Sequence, residues 1–228
     1  MSKSSGKVRK LVLAWSGGKD SALALYELRK DKDVEIVGLL TTITKDYGRV
    51  SMHGVRKVLL GQQAEALGLP LNVVNISKDA SNKKYDLAMR KVCETYRKIG
   101  VTYIAFGDIF LEDVRKYRER NLEKAGMMGI FPLWKKNTTE LAHNFIDMGF
   151  KAITTCIDSK VLDREFVGRR YNANFLHDLP PSIDPCGENG EFHTFTYAGP
   201  PFKKEIRFKK GDIVLRDDRF WFCDLLPE

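Results

Sequence analysis

The sequence predicts an α/β fold: a parallel sheet with helices on both faces, plus a smaller C-terminal α+β part. Three observations predict it. Short, nearly continuous apolar runs alternate with amphipathic helical patterns over most of the chain. The residues with unusual chemistry fall just past the ends of those runs, where ligands bind in such sheets. From about Asp184 the helical period disappears and turn residues take over.

The first run, 11–15 (LVLAW), meets SGGKDS at 16–21. A helix over about 20–30 follows, with Ala22, Leu25 and Tyr26 at i, i+3, i+4 spacing. The run 34–42 leads to SMHGVR at 51–56 and a helix over about 54–67. The run 71–76 precedes the clearest amphipathic stripe, Tyr85, Met89, Val92, Tyr96 and Ile99, in a helix over about 80–99. The run 101–107 ends at Gly107-Asp108 and opens a highly charged helix over about 111–125. Runs 127–131 and 150–156 flank a helix over about 137–148, and helical character returns over about 163–178. The loop DPCGENGEFHTF at 184–195 then leads into a β-meander with turns near Lys210-Gly211 and Asp217-Asp218. The expected division is 1–135 for the α/β domain and 136–228 for the C-terminal part.

The 228 residues are 43% hydrophobic and 30% charged, the balance of an ordinary globular protein. No run reaches the roughly 18 apolar residues of a membrane span. The basic start MSKSSGKVRK has no apolar stretch of signal-peptide length behind it, so secretion is not expected. Cys93, Cys156, Cys186 and Cys223 are far apart, which argues against a zinc ribbon and for free thiols in a reducing cytoplasm. A net charge of +8 suits an anionic partner such as nucleotide, RNA or an acidic protein, although lysine-rich surfaces are common without one.

SGGKDS is too short for a Walker A cradle. Gly17 and Gly18 still let backbone N–H groups approach an anion, and the helix that begins there adds its dipole. Ser16 and Ser21 offer hydroxyls and Lys19 a point charge. Asp20 would repel phosphate unless a cation lies between, which points to Mg²⁺; an acid in a helix's first turn is the plainer account.

Strand–SGGKDS–helix resembles the PP-loop of the N-type ATP pyrophosphatases. The resemblance implies an adenine-nucleotide α-hydrolase-like fold, a loop that binds the β,γ-pyrophosphate of ATP, and cleavage between the α and β phosphates. Taken with SMHGVR, with 107–134 and with DPCGENGEFHTF, it is similar to the diphthine–ammonia ligase family, from the PP-loop to about residue 200. That implies adenylation of the diphthine carboxylate on translation elongation factor two. Ammonia then gives diphthamide, AMP and pyrophosphate. A tRNA-modifying PP-loop ligase, which the positive charge would suit, and a non-catalytic nucleotide sensor are the alternatives. Contact with RNA is not favoured, no membrane partner is expected, and homo-oligomerisation is left open.

The remaining candidates each have two readings. Asp108 could share a metal with Asp20. Arg115 and Arg118, one helical turn apart, could clamp phosphate, or belong to a solvated helix with i, i+4 ion pairs. His53 and Arg56 lie where the superfamily receives adenosine; His53 could contact phosphate or base, or be a polar loop residue. Gly107 is a further nucleotide-binding candidate, and Thr41 and Thr42 could offer backbone contacts to adenine, though threonine needs no such reason in a strand. Glu188, Glu191 and His193 could bind ammonium, take its proton or recognise the trimethylammonio group of diphthine, with Phe192 and Phe195 adding cation–π attraction; on composition alone they are an exposed turn. Glu188 is the first choice for ammonia activation and Glu191 the second. Cys186 reads as structural, as do Tyr103, Phe106, Trp134 and Trp221.

Overall fold

The computed structural model describes residues 8–50, 52–78 and 81–228. The basic stretch 1–7, Ser51 of SMHGVR and the expected helix start at Ala80 lie outside the described residues.

The apolar runs become strands β1 (Arg9–Ala14), β2 (Val34–Thr44), β4 (Leu71–Ile76), β5 (Tyr103–Ala105) and β6 (Met128–Ile130), with a short β3 (Arg49–Val50) between β2 and β4. All but β3 run parallel, in the order β4-β2-β1-β5-β6. The antiparallel β3 pairs with the far end of β2. Helices α1 (Lys19–Leu28), α2 (Lys57–Leu67), α3 (Asn82–Lys98) and α4 (Glu112–Lys124) connect them.

Alternate residues of β1 show why this sheet is covered twice. Leu11 and Leu13 join a core with Leu23, Leu25, Leu59 and Leu60 of α1 and α2. Val12 points the other way, into a second core with Cys93 and Tyr96 of α3 and Leu122 of α4. The chain moves outward from β1 to β4 and then returns to β1's other side at β5. That reversal puts the loops after β1, β2 and β5 around one crevice.

The second sheet is wholly antiparallel and contains β7 (Lys151–Asp158), β8 (Arg170–Tyr171), β9 (Phe192–Ala198), β10 (Phe208–Arg216) and β11 (Phe220–Pro227). It shares the α1/α2 core of the first sheet through Phe145, Phe150, Phe175, Phe192 and Phe195. In the chain, α5 (Thr138–Asp147) links the two sheets, and the Asn137 side chain caps its Glu140 N–H at 3.0 Å.

Four expectations are corrected. The run 150–156 does not extend the parallel series: it is β7, paired with β8, β9 and β11 of the second sheet. Burial on both faces gives a central antiparallel strand the same unbroken apolar run as a parallel one. The stretch 163–178 is a 3-10 turn, β8 and a short α6 (Ala173–Asp178) rather than one helix. Gly211 marks no turn but a bulge within β10, where the register against β11 shifts between Lys210 and Ile213. Ile99 leaves the α3 stripe and is 62% exposed. The turn at Asp217-Asp218 is present, with φ of 51° and 47°.

Candidate active site

Trp15 follows the last residue of β1, and Gly17 turns the chain at φ +82°. A Cβ there would stand 2.7 Å from Leu60 Cδ2, so only glycine fits. The buried Gln63 of α2 stitches the loop down. It accepts from Trp15 Nε1 at 2.8 Å and donates to the carbonyls of Gly17 at 2.9 Å and Thr196 at 2.6 Å. From β9, Thr196 N donates to Gly17 O at 2.8 Å and Thr194 Oγ1 accepts from Lys19 N at 3.0 Å. The phosphate-type loop is thus clasped between both sheets. Gln63→Leu leaves the buried Trp15 Nε1 without its acceptor and takes one bond each from the Gly17 and Thr196 carbonyls; it is expected to cost about 3 kcal/mol, read as a lower urea midpoint.

Ser16, Lys19, Asp20 and Ser21 line a cavity of about 700 Å³ together with Thr41, His53, Gly107, Asp108, Arg118, Glu188 and His193. Gly107 packs so closely that a Cβ would lie 2.9 Å from Asp20 C. His53 Nε2 sits 3.2 Å from where a Cβ on Gly18 would be, directly against the loop. A larger chamber of about 880 Å³ shares Val50, Met52 and Tyr85 with this cavity.

Lys19 is buried. Its ammonium donates to Asp20 Oδ2 at 2.9 Å and to the Cys186 carbonyl, and lies 5.3 Å from the Phe192 ring centre. Burial alone would lower its pKa, but Asp20 and its other anionic neighbours outweigh that and raise it, so the charge is held firmly. Asp108 is paired with Arg118 at 2.7 Å, and Arg118 lies 4.4 Å from the Phe106 ring centre. Among the described residues no three His, Cys, Asp or Glu side chains form a metal-ligating group. Mg²⁺ needs only one or two carboxylates beside phosphate and water, which Asp20 and Asp108 can supply.

The loop 184–191 closes the crevice from the C-terminal side. Glu188 reaches across to accept from Ile109 N at 2.7 Å and Phe110 N at 3.4 Å. Burial, with Asp20 and Asp108 adding repulsion, pushes its carboxyl up to about 7 against the pull of those two N–H groups. Asp184 sets it in place by accepting Glu188 N at 2.8 Å. His193 lies against His53 with ring centres 4.5 Å apart and the rings tilted by 35°. Burial, then His53 and Lys19, hold His193 well below its usual pKa, so it is neutral. Its Nε2 and the Thr41 hydroxyl are buried on the cavity wall without hydrogen-bond partners among the described residues, as a site for a polar ligand would leave them.

Four expected site residues do not meet the others, and the first, Arg56, turns away to pair with Asp224 at 2.6 Å. Arg115 is not on the cavity wall: it lies over Phe131 and Trp134, each 4.6 Å from the ring centre, and pairs with Glu119 at 2.7 Å. No Arg115–Arg118 clamp forms. Glu191 turns under the loop, where Oε1 accepts from Asp184 N and the Asn189 side chain. Phe195 is core, against Phe208. Cys186 is buried with its thiol pKa raised by that burial, and Sγ lies 3.3 Å from Thr138 O, an inert position. Sequence reasoning missed Gln63, Thr194, Asp184 and Tyr171, whose hydroxyl donates to Pro185 O at 2.8 Å. Gln63 alone left a signal, as a polar residue on the apolar face Leu59, Leu60, Ala64, Leu67.

The family models for the diphthamide synthase N-terminal and C-terminal domains match residues 9–129 and 137–225. The chain belongs to the diphthamide synthase family. A diphthine–ammonia ligase from Schizosaccharomyces pombe is 26% identical over 220 residues, covering 87% of this chain and 36% of that protein. The Danio rerio diphthine–ammonia ligase is 26% identical over 228 residues, covering 89% of this chain and 88% of its own. This chain therefore corresponds to about a third of the fission-yeast relative and to most of the zebrafish one. A solved tRNA thiolase from Methanococcus maripaludis overlaps 60% of this chain and 57% of its own, with TM-score 0.40 and 16% identity, too distant to carry an argument. Both family domains contribute walls to the cavity, the first through the loops after β1, β2 and β5 and the second through 187–194.

Proposed function

We propose that this protein is a diphthine–ammonia ligase, which amidates the diphthine carboxylate of translation elongation factor two with ATP and ammonia. The observation that carries the reading is the meeting of Glu188 and the phosphate-type loop in one cavity, within a family whose named relatives are ligases of that type. In this reading residues 1–135 hold ATP, and residues 136–228 close the cavity and present the substrate.

Gly17, Gly18, Ser16, Ser21 and the start of α1 receive the β and γ phosphates, with Lys19 supplying charge. Thr41 and Gly107 line the wall for the adenosine half, and His53 faces the phosphates. Mg²⁺ held by Asp20 and Asp108 would neutralise phosphate oxygens as pyrophosphate leaves. The adjoining chamber admits the modified side chain past Met52 and Tyr85, so that its carboxylate oxygen attacks the α-phosphorus and pyrophosphate departs. Ammonia then attacks the acyl carbon, AMP leaves with its oxygen, and Glu188 accepts the proton that the new amide sheds. A carboxyl with its pKa near 7 is matched to that task.

The test is a product assay with Mg·ATP, ammonium and diphthine-bearing elongation factor. AMP, with a fall of about one dalton in the modified histidine (OH replaced by NH₂), is the expected result. ADP as product overturns the loop assignment. An unchanged factor overturns the substrate and directs the search to tRNA.

A further inference from the structure

The loop that carries His53 is not held by its own packing alone. Val50 N donates to Val55 O at 2.9 Å and Gly54 N to Val50 O at 3.0 Å, which makes a tight turn with Met52 at φ 64° and Gly54 at φ 67°. The arginines at its two ends, Arg49 and Arg56, converge on one carboxylate from the other sheet. Arg49 Nη1 reaches Asp224 Oδ1 at 2.6 Å and also Gly54 O at 2.8 Å. Arg56 takes Asp224 from the other side, Nε to Oδ1 at 3.1 Å and Nη2 to Oδ2 at 2.6 Å.

The strand alternation of β11 explains how one segment can do this. Cys223 and Leu225 face the core, which turns Phe222 and Asp224 together towards the loop. Phe222 packs so closely that a Cβ on Gly54 would lie 2.7 Å from its Cδ1. Oδ1 accepts from both arginines and Oδ2 from Arg56, so the charge of Asp224 is committed to the two guanidinium groups, on the wall of the larger chamber.

We propose that Asp224 is a positioning residue for the reaction, fixing the 49–56 loop through Arg49 and Arg56 so that His53 stands against Gly18 and beside His193. The proposal rests on the nucleotide reading of the site. It assigns a reaction role to the final strand, which among the described residues makes no hydrogen bond or ion pair to the 16–21 loop or to Glu188 and reaches them only through the 49–56 turn.

A double-variant cycle tests it on the full chain. Mg·ATP affinity is measured by titration calorimetry, and kcat and KM for ATP by AMP release, in Asp224→Asn, His53→Ala and the pair. Asp224→Asn keeps the shape and removes the charge. It is expected to raise KM for ATP about 10- to 100-fold, the cost of a displaced contact. His53→Ala should do the same, and the pair should be no worse than His53→Ala alone. Effects that multiply, or an Asp224→Asn enzyme with parental KM, overturn the positioning role. If Asp224→Asn melts early, Arg56→Gln, which leaves the Arg49 bond, replaces it in the cycle with the same expectations. Failure of the parental protein to bind Mg·ATP would instead sink the nucleotide reading itself, and this inference with it.

Discussion

Under the proposed function, Glu188→Gln is expected to slow ammonia-dependent amide formation by about 10²–10⁴-fold, while ATP–pyrophosphate exchange on the substrate carboxylate should keep close to its parental rate. The geometry argues for this separation. Glu188 is held by Ile109 N and Phe110 N, and glutamine's carbonyl oxygen can accept from both, so the loop stays closed. Glutamine cannot take a proton. At a fixed concentration of free ammonia the parental rate should rise with pH through about 7, and the variant should lose that limb. Stability supplies an independent reading. The folded carboxyl titrates near 7, above its ordinary 4.5, so the folded state holds a proton that the unfolded chain has released. The stability linked to that proton is complete below about 4.5 and is lost as pH rises through 7. Glu188→Gln should therefore gain on the parent in thermal melts above pH 7. Loss of exchange and amidation together would remove Glu188 from the ammonia step.

Lys19 and Asp20 give the second large effect, and they separate chemistry from folding. Lys19→Met removes the charge that the proposed function assigns to the leaving phosphates and should lower AMP formation by about 10²–10³-fold. It leaves behind Asp20, whose side chain is 32% exposed and whose carboxyl is already pushed up by burial, so without Lys19 it can take a proton, and melting should change less than in the converse variant. Asp20→Ala removes the partner of an ammonium that is only 5% exposed. Breaking a buried pair from that side costs about 3–5 kcal/mol, so this variant should lose both turnover and several degrees of melting temperature. Equal melting of the two variants would show that the Cys186 carbonyl suffices to hold Lys19.

Periodicity and motif chemistry gave the parallel sheet and the first half of the site. Both depend on local sequence: β1 is apolar without a break, and SGGKDS packs its special residues into one turn. Orientation about an element was harder to read. Arg115 and Arg118 share α4, yet one stacks on Phe131 and Trp134 while the other reaches Asp108, because aromatic neighbours distant in sequence chose between them. Glu188 and Glu191 lie in a loop with no period at all. Asp184 and Asn189 decide which of the two faces the cavity. β7 was misplaced for a related reason: burial on both faces writes the same letters in either kind of sheet. Asp224 carries no motif, and its value comes entirely from two arginines some 170 residues away in the chain, a separation of 175 for one and 168 for the other.

The clasp of Gly17 between Gln63 and Thr196 has a consequence for how the molecule comes apart. A hinge needs a seam that can open without breaking the site, and here the seam runs through the 16–21 loop itself. Whatever binds in the crevice acts as a bolt across both sheets. Saturation at one hundred times its dissociation constant would add about 2.7 kcal/mol to the stability of each as a single unit.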